Sequence, residues 1–307
     1  MRVSLIGISL AAMSGVLLTA EAQEASSGDR PFVAGTPLVQ APNVTTFGSL
    51  RQAESASYDA ERDLYVLINR GLLDTEVPDD GYVSLLNPDG TVHTLKWIGV
   101  TRDGLVLKDP RGSHIVGGRL YVADIDHVRW FDMATGAPQG SIEVPGAVLL
   151  NDLQVTAEGT IYATDTGSND EATWRVYRIT PQGEVTVLVQ GSPLNRPNGI
   201  HLDADGNIVV VNTGDDRVLT FSSSGELLET EQASDPGSDG IVIAADGTKY
   251  VSSVTRGTVS RIRPGQPSER IASGIPSAAS LTLDTRRNRL IIPQNQQNAV
   301  TFIDLDR

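Results

Sequence analysis

Residues 197–210 read PNGIHLDADGNIVV, and this stretch contains the pattern on which the fold assignment depends. The amide residue Asn198 opens a short alternating segment that ends near Asp203. The turn Ala204-Asp205-Gly206-Asn207 follows, and an apolar run begins at Ile208. Asp-Gly is common in tight β-hairpins because glycine readily adopts the positive φ that such turns need. The stretch therefore predicts two antiparallel strands joined by a hairpin.

Copies of this pattern recur along the chain, and their spacing indicates the fold class. Six copies begin at Glu54, near Gly112, and at Asn151, Asn198, Asp239 and Ser280. The last four openings are 47, 41 and 41 residues apart. A period near forty with four short strands per unit is typical of β-propellers. We therefore predict an all-β, six-bladed β-propeller built from four-stranded antiparallel blades.

The last copy is too short for a fourth strand, so the ring needs a strand from elsewhere. The segment Pro42–Ser49 contains the β-forming run Val44-Thr45-Thr46-Phe47. We expect this N-terminal strand to complete the last blade, because an open ring would leave two unpaired sheet edges. The copy opened by Glu54 is longer than the others, and we assign its insertion to Arg70–Asp80.

The N-terminus has the features of a secretory signal. Arg2 precedes an apolar run at residues 3–18, and Ala20-Glu21-Ala22 fits a small-x-small cleavage site before Gln23. We predict a signal peptide at residues 1–22, an N-terminal extension at 23–40 and a single propeller domain at 41–307. The mature protein is then expected to be secreted or periplasmic.

Composition narrows the classes of partner and chemistry. The chain has a net charge of −14 and no cysteine. The negative charge argues against binding to nucleic acid or to anionic membranes, since both repel an acidic protein. The absence of cysteine excludes thiol catalysis and disulfides. We expect a monomer that acts on a small molecule.

The residues that open the blades suggest a shared site. Equivalent positions of the blades converge on the propeller axis, where two carboxylates and two amides would meet. The four side chains are those of Glu54, Asn151, Asn198 and Asp239. Oxygen ligands of this kind suit a hard cation such as Ca²⁺. An isolated Asn-Gly or Asp-Gly, however, is more often simply a turn.

The same openings resemble those of the senescence marker protein/gluconolactonase (regucalcin-like) family, whose members are six-bladed propellers. The matching segments are Glu54-Ser55-Ala56, Asn151-Asp152, Arg196-Pro197-Asn198-Gly199 and Ser238-Asp239-Gly240. The resemblance implies metal ligation by Glu54, Asn198 and Asp239, with Asn151 as a ligand or substrate contact. The family often has Glu-Gly-Pro at its first site, and often an early arginine that holds sugar acids. Here the first site is Glu-Ser-Ala, and the arginine has no secure position.

The favoured hypothesis is a metal-dependent hydrolase of lactones, which include sugar lactones. We expect one divalent cation, Ca²⁺ in the first instance, with Mg²⁺, Mn²⁺ or Zn²⁺ left open. The cation would polarise the lactone carbonyl, and Asp239 would be both a ligand and the base that takes a proton from water. Asp152 would orient Asn151 through a hydrogen bond.

Two other classes remain open at this point. One is a non-enzymatic, NHL-like propeller that binds a protein or peptide and carries a structural metal. The other is a different enzyme on the same scaffold, such as a lyase or a phosphotriester hydrolase. A histidine pair formed by His114 and His127 is a further alternative for the base.

Overall fold

The computed structural model describes residues 37–41, 43–48, 50–71, 79–99 and 105–305. The predicted signal peptide and most of the predicted insertion lie outside these ranges. Within them, 25 β-strands form six antiparallel sheets, with two single-turn 3₁₀ segments at Glu171–Thr173 and Asn295–Gln297. Among the described residues, no helix has the length and apolar character needed to cross a bilayer.

Each sheet is one blade, and its strands follow one another from the axis outward. Two strands precede the first blade: β1 (Pro37–Ala41) and β2 (Val44–Gly48). Blades 1 and 2 contain β3 (Ala53–Asp59), β4 (Leu64–Asn69), β5 (Tyr82–Leu86), β6 (Val92–Gly99), β7 (Pro110–Val116), β8 (Arg119–Asp124), β9 (His127–Asp132) and β10 (Pro138–Glu143). Blades 3 and 4 contain β11 (Leu150–Val155), β12 (Ile161–Asp165), β13 (Arg175–Ile179), β14 (Val185–Gln190), β15 (Pro197–Leu202), β16 (Ile208–Asn212), β17 (Arg217–Phe221) and β18 (Leu227–Gln232). Blades 5 and 6 contain β19 (Ser238–Ile243), β20 (Lys249–Ser253), β21 (Thr258–Ile262), β22 (Glu269–Ala272), β23 (Thr282–Asp284), β24 (Arg289–Gln294) and β25 (Ala299–Asp304).

The inner strands form a closed ring around the axis. Strands β3, β7, β11, β15, β19 and β23 each contact the next, and β23 contacts β3 again. Between the last and the first blade, Ser280 N–H donates to Glu54 O at 3.0 Å and Ala56 N–H donates to Ser280 O at 3.1 Å. This pairing is parallel. The inner strands therefore start at one end of the axis and finish at the other.

The hydrophobic core is divided among the spaces between blades. Six apolar clusters fill these spaces, and each takes its side chains from two neighbouring blades. The cluster between blades 1 and 2, for example, packs Val66 and Ile68 against Leu120 and Phe131. Each blade is thus buried on both faces, which explains the long apolar runs in the middle strands.

The N-terminal strand closes the ring as predicted. Strand β2 pairs with β25 in a register that runs from Val44 opposite Ile303 to Phe47 opposite Val300. The ring of Phe47 packs on Phe302, with centroids 5.0 Å apart. One detail differs from the prediction, because β1 adds a fifth strand outside β2. Strand β1 pairs with the edge that β2 would otherwise leave bare.

Candidate functional site

Polar side chains near the axis come from irregularities at the start of the inner strands. In five blades, the pairing of the inner strand with its neighbour shifts register close to the first residue. Such bulges commonly redirect a side chain. In each of the five, the shifted segment carries a buried polar residue: Glu54, Arg111, Asn151, Asn198 and Asp239. Four of these residues were predicted from the sequence, and the equivalent position of blade 2 holds a fifth, Arg111.

The glycines that follow two of these residues are not turn residues. Gly199 and Gly240 lie inside β15 and β19, and neither has a positive φ. A Cβ on Gly199 would lie 2.5 Å from Asp239 O, and one on Gly240 would lie 2.5 Å from Ser280 Cα. Glycine is needed here because the backbones of adjacent inner strands approach too closely for a side chain. The simple-turn interpretation is therefore wrong for both positions.

Asn198 and Asp239 are in direct contact. Asn198 Nδ2 donates to Asp239 Oδ2 at 3.2 Å. Asn198 Oδ1 and Asp239 Oδ1 are both buried, and neither has a hydrogen-bond partner in the described part of the chain. Buried polar atoms are nearly always paired. Two unpaired oxygens on neighbouring strands therefore indicate a site for a group that the protein alone does not supply.

Two threonines fix the orientation of the asparagine amides. Asn151 Nδ2 donates to Thr166 Oγ1 at 2.9 Å, and Thr166 Oγ1 donates in turn to Pro197 O at 2.7 Å. Blade 4 repeats this arrangement, with Asn198 Nδ2 on Thr213 Oγ1 at 2.9 Å. The Thr166 hydroxyl has one proton and donates it to Pro197 O, so towards the Asn151 amide it can only accept. The amide oxygen of Asn151 is therefore left without this partner.

These contacts revise the prediction for Asp152. The carboxylate of Asp152 accepts from Leu153 N–H at 2.8 Å and Ile200 N–H at 3.2 Å, and Ser280 Oγ lies 3.4 Å away. It makes no hydrogen bond to the Asn151 side chain. Thr166, which sequence analysis passed over, holds Asn151 instead. Asp152 therefore ties blade 3 to blades 4 and 6.

The carboxylate of Glu54 is paired with two arginine side chains and one asparagine amide. Arg111 Nη1 donates to Glu54 Oε1 at 3.0 Å, and Asn295 Nδ2 donates to Glu54 Oε2 at 2.9 Å. Arg70 Nη1 lies 3.7 Å from Glu54 Oε2. Asp109 bridges the two arginines, with oxygens 2.6 Å from Arg70 Nε and 2.9 Å from Arg111 Nη2. Both Glu54 oxygens are thus occupied, so a cation that bound Glu54 would have to displace one of these donors.

Burial and neighbouring negative charges raise the pKa of two carboxyl groups of the site, those of Asp239 and Asp152. Burial raises the pKa of Asp239 well above its usual range, and the charges of Glu54 and Asp152 raise it further, whereas Arg111 lowers it. Burial raises the pKa of Asp152 to about 7, and its two backbone hydrogen bonds oppose the shift. Burial and a nearby negative charge both disfavour the ionised carboxylate. A cation close to Asp239 would relieve that penalty.

The residues present fit a hard cation in part. Asn198 Oδ1 and Asp239 Oδ1 are buried oxygens with no donor in the described part of the chain, and the amide oxygen of Asn151 receives none from Thr166. Calcium prefers such ligands. Among the described residues, no three His, Cys, Asp or Glu side chains are grouped as a metal site. The amides are therefore essential to the set, and Glu54 would join it only by leaving Arg111 or Asn295.

The structure does not bring His114 and His127 together. His114 lies on the inner strand β7, where its Nδ1 accepts from Val155 N–H at 2.9 Å. His127 lies on the third strand of the blade, with Nδ1 2.6 Å from the neighbouring Asp126. The histidine that affects the pKa of His114 is His201 rather than His127. The geometry gives no support to a His114–His127 pair.

Comparison with known proteins establishes the family. Residues 75–293 match the SMP-30/Gluconolactonase/LRE-like region. The chain belongs to this family. No curated protein sequence matches the chain.

Solved structures of similar fold include members of two enzyme classes. A gluconolactonase from Xanthomonas campestris has a TM-score of 0.68 and 18% identity, over 92% of this chain and 99% of that one. A virginiamycin B lyase from Staphylococcus aureus has a TM-score of 0.58 and 13% identity, over 86% of this chain and 99% of that one. At such identities the similarity shows the fold alone. The fold of this SMP-30/gluconolactonase family member is thus shared by hydrolases and lyases.

Proposed function

We propose that this protein hydrolyses lactones at the axial site, with a divalent cation held by Asn151, Asn198, Asp239 and, after rearrangement, Glu54. Membership of the SMP-30/gluconolactonase family and the similarity to a gluconolactonase support the reaction class. The observation that carries the proposal is the pair of buried, unpartnered oxygens on Asn198 and Asp239. Calcium best suits this set of oxygen donors.

The charge balance around the site is consistent with a divalent ion. The arginines Arg70 and Arg111 stand against four carboxylates, those of Glu54, Asp109, Asp152 and Asp239. With every group ionised, two negative charges remain without a counterion. Buried charges are stable only when they are paired.

The residues of the chain can divide the reaction among themselves. When bound, a divalent cation supplies Lewis-acid polarisation of the ester carbonyl. Asp239 takes a proton from water as the water oxygen adds to the carbonyl carbon. The bond between the acyl carbon and the ring oxygen then breaks, and Asp239 returns the proton to the ring oxygen, which leaves as the hydroxyl of a hydroxy acid. Arg70 and Arg111, which pair with Glu54 and Asp109 in this structure, are the positive charges of the site that would stabilise the carboxylate that forms.

A lactone panel assayed with and without a chelator tests the proposal. We expect turnover on one or more lactones, its loss on chelation and its return with added Ca²⁺. Asp246→Asn is a matched control, because Asp246-Gly247 is a surface hairpin turn far from the site. This variant should keep its activity. If every lactone is inert and chelation only lowers the melting temperature, the NHL-like binding function replaces the enzyme.

A further inference from the structure

A cavity opens at one end of the propeller axis. It has a volume of about 340 Å³ and is lined by the C-terminal halves of the inner strands. Asn198 and Asp239 lie at the N-terminal ends of these strands, so the cavity faces away from them. Asp152 lies between the two ends, where backbone N–H groups hold its carboxylate. Asp152 also lines the cavity, so the cavity meets the axial site at this carboxylate and otherwise opens away from it.

Three polar residues occupy equivalent positions in this cavity. His114, Gln154 and His201 each stand three residues after the polar residue that opens the blade, on the consecutive strands β7, β11 and β15. All three are half-buried. On the opposite side, blades 5 and 6 supply Val242 and Leu283. The cavity is therefore polar on the side of blades 2 to 4 and mostly apolar on the side of blades 5 and 6, which also supplies Thr282 and Thr285.

The two histidines present opposite hydrogen-bonding groups. His114 Nδ1 accepts from Val155 N–H at 2.9 Å, so the proton of the neutral ring is on Nε2. His201 Nδ1 lies 2.8 Å from the carbonyl of Leu202, which can only accept, so its proton is on Nδ1 and Nε2 is free to accept. Burial lowers the pKa of both rings, which are therefore neutral at pH 7. Within the described ranges, neither Nε2 has a hydrogen-bond partner.

Gln154 adds a further hydrogen-bonding group to the polar side of the cavity. The Gln154 side chain makes no hydrogen bond within the described structure, so its amide can both donate and accept. Between them, the three residues offer a donor, an acceptor and an amide along one wall. This combination matches hydroxyl groups, each of which donates one hydrogen bond and accepts others.

The same geometry argues against a metal ion here. His114 could bind a metal through Nε2 only by giving up the proton there, which would require it to lose its Nδ1 contact with Val155. That leaves His201 as a single nitrogen ligand, because the Asp152 carboxylate, which also lines the cavity, is held by backbone N–H groups. The lining also contains no lysine or arginine that would attract an anion.

We propose that this cavity binds an uncharged, hydroxyl-bearing molecule of about monosaccharide size, with its hydroxyls on His114, Gln154 and His201 and its C–H face on Val242 and Leu283. The cavity volume is at the low end of the range for small-molecule sites. This proposal does not depend on the lactonase activity.

Imidazole NMR spectra of the full chain test the proposal directly. The chain has four histidines, so His93 and His127 on the outside of blades 1 and 2 serve as internal controls. Methyl β-D-glucopyranoside is the neutral probe, and gluconate is an anionic probe of similar size. We expect the neutral probe to shift only the signals of His114 and His201, with a dissociation constant of about 1 mM. Gluconate should shift them much less.

Two variants separate this cavity from the axial site. Gln154→Leu keeps the size of the side chain but removes the amide, and it should weaken binding of the glucoside about 3-fold to 10-fold, as the loss of one neutral hydrogen bond does. Asp239→Asn should leave binding unchanged. The proposal is overturned if His114 and His201 do not shift well above the expected concentration, if Gln154→Leu binds as well as wild type, or if Asp239→Asn abolishes binding.

A second measurement needs no ligand. The ring nitrogen shifts of wild-type protein report the tautomers, and we expect Nε2–H for His114 and Nδ1–H for His201. The same tautomer in both rings would remove the donor–acceptor pair and refute the proposal. Equal shifts of both rings on addition of Zn²⁺ would instead identify a metal site.

Discussion

Thr166→Val tests whether the orientation of Asn151 matters for the proposed cation site. Valine has nearly the shape of threonine but lacks the hydroxyl that accepts from Asn151 Nδ2 and donates to Pro197 O. No other described residue holds the Asn151 amide, so the variant frees it to rotate. An amide that presents nitrogen instead of oxygen cannot bind a cation.

The expected magnitudes follow from the two lost hydrogen bonds. A buried donor left without a partner costs about 1–3 kcal/mol, so the free energy of unfolding should fall by roughly that amount. Loss of a residue that orients a metal ligand typically costs about 10-fold to 100-fold in metal affinity. We therefore expect weaker Ca²⁺ binding by about this factor.

Thr164→Val is the matched control. Thr164 is also buried and also bonds a carbonyl of β15, that of Asn198, but it does not touch the Asn151 amide. Calorimetric titration with Ca²⁺ and chemical denaturation of both variants give the comparison. Both should be destabilised, and only Thr166→Val should lose Ca²⁺ affinity. Equal Ca²⁺ affinities in the two variants would refute the argument from amide orientation.

Further predictions concern catalysis, stability and pH. At saturating metal, Asp239→Asn should remain about 10²-fold to 10⁴-fold below wild type in lactone turnover, whereas Glu54→Gln should recover in part; equal recovery would mean that Asp239 is not the base. Phe47→Ala should lower the free energy of unfolding by about 3–5 kcal/mol, measured by denaturation, because Phe47 fills the seam against Phe302; a smaller loss than 1 kcal/mol would contradict a closing role. Burial lowers the pKa of His114 to about 4. As the pH falls from about 6.5 to about 4, the unfolded chain takes up a proton that the folded ring does not, so His114 should reduce stability by up to about 3 kcal/mol. The stability difference between wild type and His114→Gln should show this slope and isolate it from Asp152, whose raised pKa acts in the opposite direction; a difference independent of pH would refute it.

The sequence predicted the parts of the fold that rest on local patterns. Hairpin turns and apolar alternation repeat in every blade, so the blade count and strand order follow from spacing alone. The pairing of Val44–Phe47 with the last blade followed from a simple need to cover an edge. The extra strand β1 was not predicted, because four strands already complete the last blade and nothing in the repeat pattern calls for a fifth.

The site was predicted less completely, since its contacts join residues that are distant in sequence. Arg111 pairs with Glu54 across 57 positions, and no local pattern reports that contact. A signal was nevertheless present, because Arg111-Gly112 stands at the opening of blade 2 as Asn198-Gly199 stands at that of blade 4. The role of Thr166 could not be deduced, because threonine after a strand is common and its partner Pro197 belongs to the next blade.

The seam between β2 and β25 also determines when the molecule can finish folding during synthesis. Asn295 contacts Glu54 across 241 residues, and β25, which pairs with β2, follows it. A ribosome that adds about 5–20 residues per second needs about 10–50 s to make the intervening chain. Throughout that time the carboxylate of Glu54 lacks one of its hydrogen-bond donors, and the two ends of the ring stay apart. The axial site is therefore among the last parts of the nascent protein to be completed.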